Sequence, residues 1–363
     1  MLTYFIVICI ALCFSYLAMR NHNACLDEGY ILPFQRTRDT KIYLFIIIAV
    51  LTVTAGCRYH VGTDYGNYVH LYKTQYSQLS LGEILTQEEP MLPIIGKISH
   101  VWFNSHYPMF FTASVITVGL MLYSTFKETT DFIFVSLLYI FAGGWTGSFN
   151  GVRQYMAVAI VFLGRKYIME RNFLKFLLVC GVAFFAHRSA LFFVLIYFIY
   201  SEKFTVVRLL AVTIIAIVVS RSYEVLFNII GWMNDEEFVA NDYALRSVNI
   251  LRILAGCAPA ILAIYYAFTK KLNKQQIFYT YMLIANATVW VSTADSAYLA
   301  RLALYTGVFV PLGLSSILEL EDDKHKKLLK IVIIVLYSCF WLYEVSNSKT
   351  LREFEWIFSY MCI

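Results

Sequence analysis

Two arginines stand where an apolar helix is about to begin: Arg153 in Asn150-Gly-Val-Arg153, and Arg188 in His187-Arg188-Ser189. A guanidinium placed there adds a fixed fork of donors to the exposed N–H groups and positive dipole end of the helix, which suits a diphosphate or similar oxyanion. Arg58 and Arg301 are candidates for the same diphosphate-binding role, and each of these arginines has a second reading as a snorkelling anchor at the end of a membrane span. Group transfer to a hydroxyl also needs a base. Asp64 has the best neighbourhood, six residues after Arg58 and close to Gly62 and His60, although the same position suits a helix cap. His187 and Glu89 are the rival catalytic candidates, and Glu83, Glu88, Asp242 and Asp295 are further carboxylates on that side. A single histidine near a span end more often packs than catalyses.

After Asp64, four tyrosines recur at spacings of three and four: Tyr65, Tyr68, Tyr72 and Tyr76. That spacing predicts one face of a helix, with Thr63 or Asp64 as its cap. Two roles are open to the face, an aromatic belt or, with His60, a platform on which sugar or acceptor rings stack. Both place the helix along the outer surface of the membrane.

The elements that must hold these residues are almost all apolar. Hydrophobic residues make up 60% of the chain and charged ones 15%, with a mean hydropathy of +0.64, against about 45–50% and about 25% in soluble domains. A soluble fold is excluded, and the fold class is an all-α polytopic membrane protein. Apolar runs fall at about 3–19, 42–57, 108–126, 131–147, 152–164, 173–186, 189–200, 205–220, 250–269, 277–293, 302–318 and 328–345, which predicts about twelve transmembrane helices, within a range of 11–14. The first run lacks a basic leader and a small-residue cleavage site, so it reads as a retained span. Residues 1–363 then form a single transmembrane domain. Within it, 58–104 is an outward loop with amphipathic and re-entrant helices, because Pro90 to Phe103 is short and carries Lys97 and His100. Residues 221–249 form a second outward loop, either a lid or a solvated connector.

Leaving Pro90 to Phe103 out of the span count puts Arg36, Arg38, Lys41, Lys127, Arg165, Lys166 and the lysines from Lys324 to Lys330 on one side. By the positive-inside rule that side is the cytoplasm, and both termini face outward. The outward set is mostly arginine, the residue that grips phosphate in bidentate fashion. The eight cysteines lie mostly inside apolar runs without CxxC or Cys/His spacing, so they read as small buried hydrophobes. No Walker loop, GxGxxG, HExxH or outward DxD occurs, so no metal, cofactor or nucleic-acid partner is expected.

At these same residues the sequence resembles the EpsG branch of the Wzy-type bacterial polysaccharide polymerases. The matching pieces are Arg58-x5-Asp64-Tyr65-x2-Tyr68 with Gly62 and Thr63 inside, Glu89-Pro90 opening a short apolar segment, Arg153-Gln154-x2-Ala157 at a helix start, and His187-x-Ser189. Glu88 beside Glu89 leaves open which glutamate matches, and the C-terminal half matches only in hydropathy. The resemblance implies a GT-C-like fold and a polymerase on the periplasmic face of the bacterial inner membrane. Its donor and acceptor would be oligosaccharides linked to undecaprenyl diphosphate, joined by metal-independent inverting transfer in O-antigen (lipopolysaccharide), capsule or exopolysaccharide synthesis. Membrane lipid surrounds such a protein, and a chain-length regulator of the Wzz type is the implied protein partner. Under this reading Asp64 or His187 takes the acceptor proton, with Glu89 third. Two rivals stay open. A lipid-linked oligosaccharide flippase would carry charges near the middle of its spans, and a membrane acyltransferase would carry a histidine-based donor motif.

Overall fold

The computed structural model describes residues 1–27, 37–129, 131–221 and 247–361. Inside a bilayer the backbone must satisfy its own N–H and C=O groups, so the apolar runs wind into helices and the polar residues before them decide where each begins. Thr37 accepts from Thr40 N at 3.2 Å to start Arg38–Gly56. Asp131 accepts from Phe134 N at 3.0 Å to start Phe132–Phe141. Asn172 accepts from Lys175 N at 3.2 Å at the head of Phe173–Phe184, while Asn273 and Gln276 form a capping box before Lys274–Ser292.

Each of the apolar runs is helical over most of its length, and the chain is an all-α membrane protein. Five helices among the described residues are long and apolar enough to cross a membrane: Leu2–Asn21, Arg38–Gly56, Tyr107–Phe126, Ile250–Thr269 and Asp323–Asn347. Leu299–Gly307 and Val310–Leu318, bent by 44°, make a sixth if they act as one span. The remaining runs fall short for physical reasons. The run at 131–147 breaks after Phe141, and the run at 189–200 opens as a 3-10 helix, Arg188–Leu195, before Ile196–Ile199. Lys274–Ser292 is long enough, but its polar residues dilute its hydropathy. The outward segment 221–249, expected to be a lid or connector, lies outside the described residues over 222–246.

The chain divides into two compact units. The first comprises Met1–Tyr167, Asn172–Phe193 and Lys330–Ile363. Its core centres on Tyr4, whose ring meets Trp145 and Trp341 edge-on at 5.9 Å each. Trp145 Nε1 donates to Leu51 O at 3.0 Å and Trp341 Nε1 to Thr146 Oγ1 at 3.2 Å, so both indoles bury their ring and still satisfy their one donor. At one end of this unit Arg165 bonds Glu128 Oε1 at 2.6 Å and Lys330 bonds Asp131 Oδ2 at 2.6 Å. At the other end, Arg58–Tyr59 pairs antiparallel with Glu355–Trp356, and Gly62 N donates to Thr350 O at 3.3 Å. The second unit comprises Ile168–Arg171 and Val194–Leu329. Within it Asn286, buried in Lys274–Ser292, donates to Gly256 O at 3.1 Å and accepts from Thr306 Oγ1 at 3.0 Å, which ties three helical segments together.

Candidate active site

The turn that follows Arg38–Gly56 is built around Arg58, which is only 1% exposed. Its Nε donates to Val61 O at 3.0 Å, Nη2 donates to Phe149 O at 3.2 Å, and Nη1 donates to Ala55 O. Its guanidinium carbon also lies 5.1 Å from the Phe110 ring centre and 5.2 Å from that of Phe149. Burial pulls its pKa down to about 10. This corrects the expected diphosphate role, because the fork that would grip phosphate is turned inward onto backbone carbonyls. It is not a snorkelling anchor either.

The same turn brings Asp64 into place. Gly62 adopts φ of +103°, and a Cβ there would lie 2.3 Å from Phe149 O. Thr63 N donates to Asn150 Oδ1 at 2.8 Å, which fastens the turn to the residue three before Arg153. Asp64 sits at the head of Tyr65–Leu71 without capping it, and its Oδ1 accepts from Thr63 Oγ1 at 3.0 Å. The predicted cap is therefore not formed. Gly62→Ala is expected to destabilise the protein by about 2 kcal/mol or more, because it combines an unfavourable backbone angle with a steric clash. The check is the yield and thermal stability of the detergent-extracted protein, and normal values for both would contradict this account of the turn.

The tyrosine face points inward. Tyr65, Tyr68, Tyr72 and Tyr76 are all buried, and the Tyr65 ring stacks on Phe110 at 4.6 Å. Tyr72 meets His100 Nδ1 at 3.3 Å, and Tyr76 fills the space left by Gly96. Neither a membrane-surface belt nor an open sugar platform survives for Tyr65, Tyr68 and Tyr72. The helix widens to π geometry over Tyr72–Tyr76. His106 lies among these rings, where burial, then the charges of Lys73 and His60, lower its pKa to about 4. His60, with φ of +51°, is exposed beside Tyr59 and Tyr65.

Glu89 is the hub of the site. Met91 N donates to Phe185 O at 3.0 Å, which straps the start of Met91–Phe103 to the end of Phe173–Phe184 and sets Glu89 beside His187. The Glu89 side chain is 11% exposed. Its Oε1 contacts His187 Nδ1 at 2.6 Å and accepts from Arg188 N at 2.9 Å, while Oε2 lies 2.8 Å from Arg153 Nη1. Burial is the largest influence on this carboxyl and opposes its charge. The hydrogen bond and charge of His187, the charge of Arg153 and the Arg188 N–H together outweigh burial and hold the carboxyl below its ordinary range. Arg188 also pairs with Glu88. Gln154, next to Arg153, donates from Nε2 to Ser189 Oγ at 3.5 Å.

Four segments far apart in the chain thus converge: Asp64–Tyr68, Glu88–Glu89, Arg153–Gln154 and His187–Ser189. Arg301 belongs to the second unit, on the 3-10 turn Leu299–Ala303, with its guanidinium carbon 5.9 Å from the Tyr298 ring centre. Sequence reasoning ranks Glu89 last among the candidate bases, and it misses Asn150 as the clamp between the Asp64 turn and the Arg153 helix. The Glu-Glu-Pro step opening a helix is the available signal for the first. Nothing in the sequence marks the second.

When the His187 ring is neutral and Glu89 ionised, the 2.6 Å contact places the ring hydrogen on Nδ1 and leaves Nε2 free to accept a proton. Side-chain exposures of 30% for His187 and 34% for Arg153 leave both open to a reactant. The model of the EpsG family matches residues 41–360, a stretch that contains all four converging segments. No curated protein and no solved structure gives a significant match.

Proposed function

The chain belongs to the EpsG family, which is related to the Wzy-like polysaccharide polymerases, and on that premise we propose that it joins oligosaccharide repeat units carried on undecaprenyl diphosphate. The reaction is an inverting glycosyl transfer without a metal, on the periplasmic face of the inner membrane, serving O-antigen or capsular and exopolysaccharide synthesis. Its helical runs form the membrane-embedded, GT-C-like body. His187 Nε2 takes the proton of an acceptor-sugar hydroxyl as that oxygen attacks the anomeric carbon of the donor. The bond from that carbon to the diphosphate breaks, and the electron pair leaves with the lipid diphosphate. Arg188 and Arg153 offset the departing charge. Glu89 fixes the His187 ring and stabilises the imidazolium as it forms. His60 and Asp64 lie on the acceptor side, and a Wzz-type regulator is the partner that limits chain length.

The Glu89 pairing with His187 and Arg153 carries this reading, because it joins an oriented base to fixed positive charge in one place. Sidedness has separate support: Lys127, Arg165, Lys166 and Lys330 belong to the lysine-rich end of the first unit, opposite the Arg58 turn. The test uses purified full-length protein with a lipid-diphosphate-linked repeat unit. A ladder of longer glycans with release of lipid diphosphate, unchanged by a chelator, is expected. Movement of the substrate between leaflets with no new glycosidic bond would point to a flippase instead.

A further inference from the structure

Residues directly opposite one another in an antiparallel strand pair lie on the same face, so the pairing of Arg58–Tyr59 with Glu355–Trp356 has two faces of different character. Arg58 and Trp356 share the face that turns toward the helices: Arg58 is buried, and Trp356 borders Val53 and Thr54. Tyr59 and Glu355 share the other, where Glu355 is exposed and Tyr59 half-buried. On the reading that the chain catalyses glycosyl transfer, we propose that this second face, together with His60 and Tyr107, is a subsite for a sugar ring of the acceptor repeat unit.

The rings of this face are held in place from below. Tyr65, buried and stacked on Phe110 at 4.6 Å, is the floor. Around it stand Tyr59 at 6.3 Å, His60 at 5.2 Å and His106 at 6.3 Å between ring centres, with Tyr107 4.2 Å beyond His106. Tyr59 and His60 meet edge-on at 4.4 Å. His60 keeps φ of +51°, which a non-glycine residue holds only where its neighbours fix it, and it is exposed there.

A sugar ring has an apolar C–H face and a rim of hydroxyls, so it suits aromatic rings that carry polar tips. Tyr59, His60 and Tyr107 supply those rings, and the Glu355 carboxylate accepts hydrogen bonds from the rim. A lipid headgroup fits this face worse, because its phosphate would meet that carboxylate. The face is also continuous with the site. His60 lies four residues before Asp64, in the turn that Thr63 N fastens to Asn150 Oδ1 at 2.8 Å, at the head of the Arg153 helix.

The probe is the repeat-unit oligosaccharide cut from its lipid, added to purified full-length protein, with affinity read by calorimetry. Tyr59→Ala is expected to weaken binding about tenfold and Tyr59→Phe by less than about twofold, since the ring carries the contact. Glu355→Gln, which keeps the shape and removes the charge, is expected to cost about threefold. In turnover, Tyr59→Ala and Glu355→Gln should raise KM and leave kcat within about twofold. If Tyr59→Ala does not fold, Tyr107→Ala carries the same expectation. Wild-type affinity in the alanine variant overturns the subsite, and so does a loss of thermal stability in lipid nanodiscs with glycan affinity unchanged, the result expected of a headgroup contact. The two readings fail separately. Oligosaccharide bound as expected by a protein that forms no glycosidic bond removes the reaction and keeps the subsite, whereas chain extension with normal affinity in Tyr59→Ala removes the subsite alone.

Discussion

Replacing His187 with alanine is expected to leave the protein folded in the membrane and to slow chain extension by roughly 10²–10⁴-fold, the usual worth of a positioned general base. The side chain is part-exposed, so its removal opens no large cavity in the core. Its loss removes one of the two partners of Glu89 Oε1, but the Arg188 N–H on the same oxygen and Arg153 on Oε2 continue to hold that carboxylate. Rate and stability should therefore separate, with yield and thermal stability close to wild type while the glycan ladder disappears. Long glycans at normal rate from His187→Ala would exclude it as the base and return Asp64 to first place. The same cluster sets an acid limit. Glu89 has a depressed pKa in the folded protein, so the stability it contributes is complete above the unfolded value of about 4.3. That contribution is lost as pH falls through the lower, folded value. Stability should hold through mildly acidic pH and fall only where Glu89 takes up its proton.

The apolar runs were legible because the length and hydropathy of a run dictate a helix in a bilayer. Where the runs break was less legible, since the kink between Leu299–Gly307 and Val310–Leu318 and the 3-10 start at Arg188 depend on packing that no local signal announces. Among the site residues, Arg153, His187 and Glu89 were recognisable as separate pieces of polar sequence at helix starts. Their meeting depends on the Met91–Phe185 strap, a backbone contact between segments almost a hundred residues apart. The tyrosines show the limit most clearly. Period and spacing identify one face of a helix, but in a membrane protein an aromatic face suits lipid, headgroup and protein core alike. Only the positions of Phe110, Gly96 and His100 turn that face inward.

Arg58 carries the largest expected effect on stability, and its substitution separates two roles that the sequence left open. A phosphate-gripping or anchoring arginine would tolerate lysine with the fold intact and, for the former, a raised KM for the lipid-linked substrate. A buried arginine that serves three carbonyls behaves differently. Lysine presents one compact ammonium instead of a planar fork, so it cannot reach Ala55, Val61 and Phe149 together or lie against the two phenylalanine rings. Carbonyls left unpaired cost about 1–3 kcal/mol each, and a loss of about 3 kcal/mol or more is expected for Arg58→Lys. Burial already lowers Arg58 to about 10, and the same burial acting on a lysine would carry its pKa toward neutrality. An unfolded lysine near 10.4 then binds more protons than the folded one, so the variant should gain stability as pH rises between those two values. Thermal unfolding of Arg58→Lys across that pH range tests both points. A variant as stable as wild type, with an altered KM alone, would restore Arg58 to the substrate side of the site.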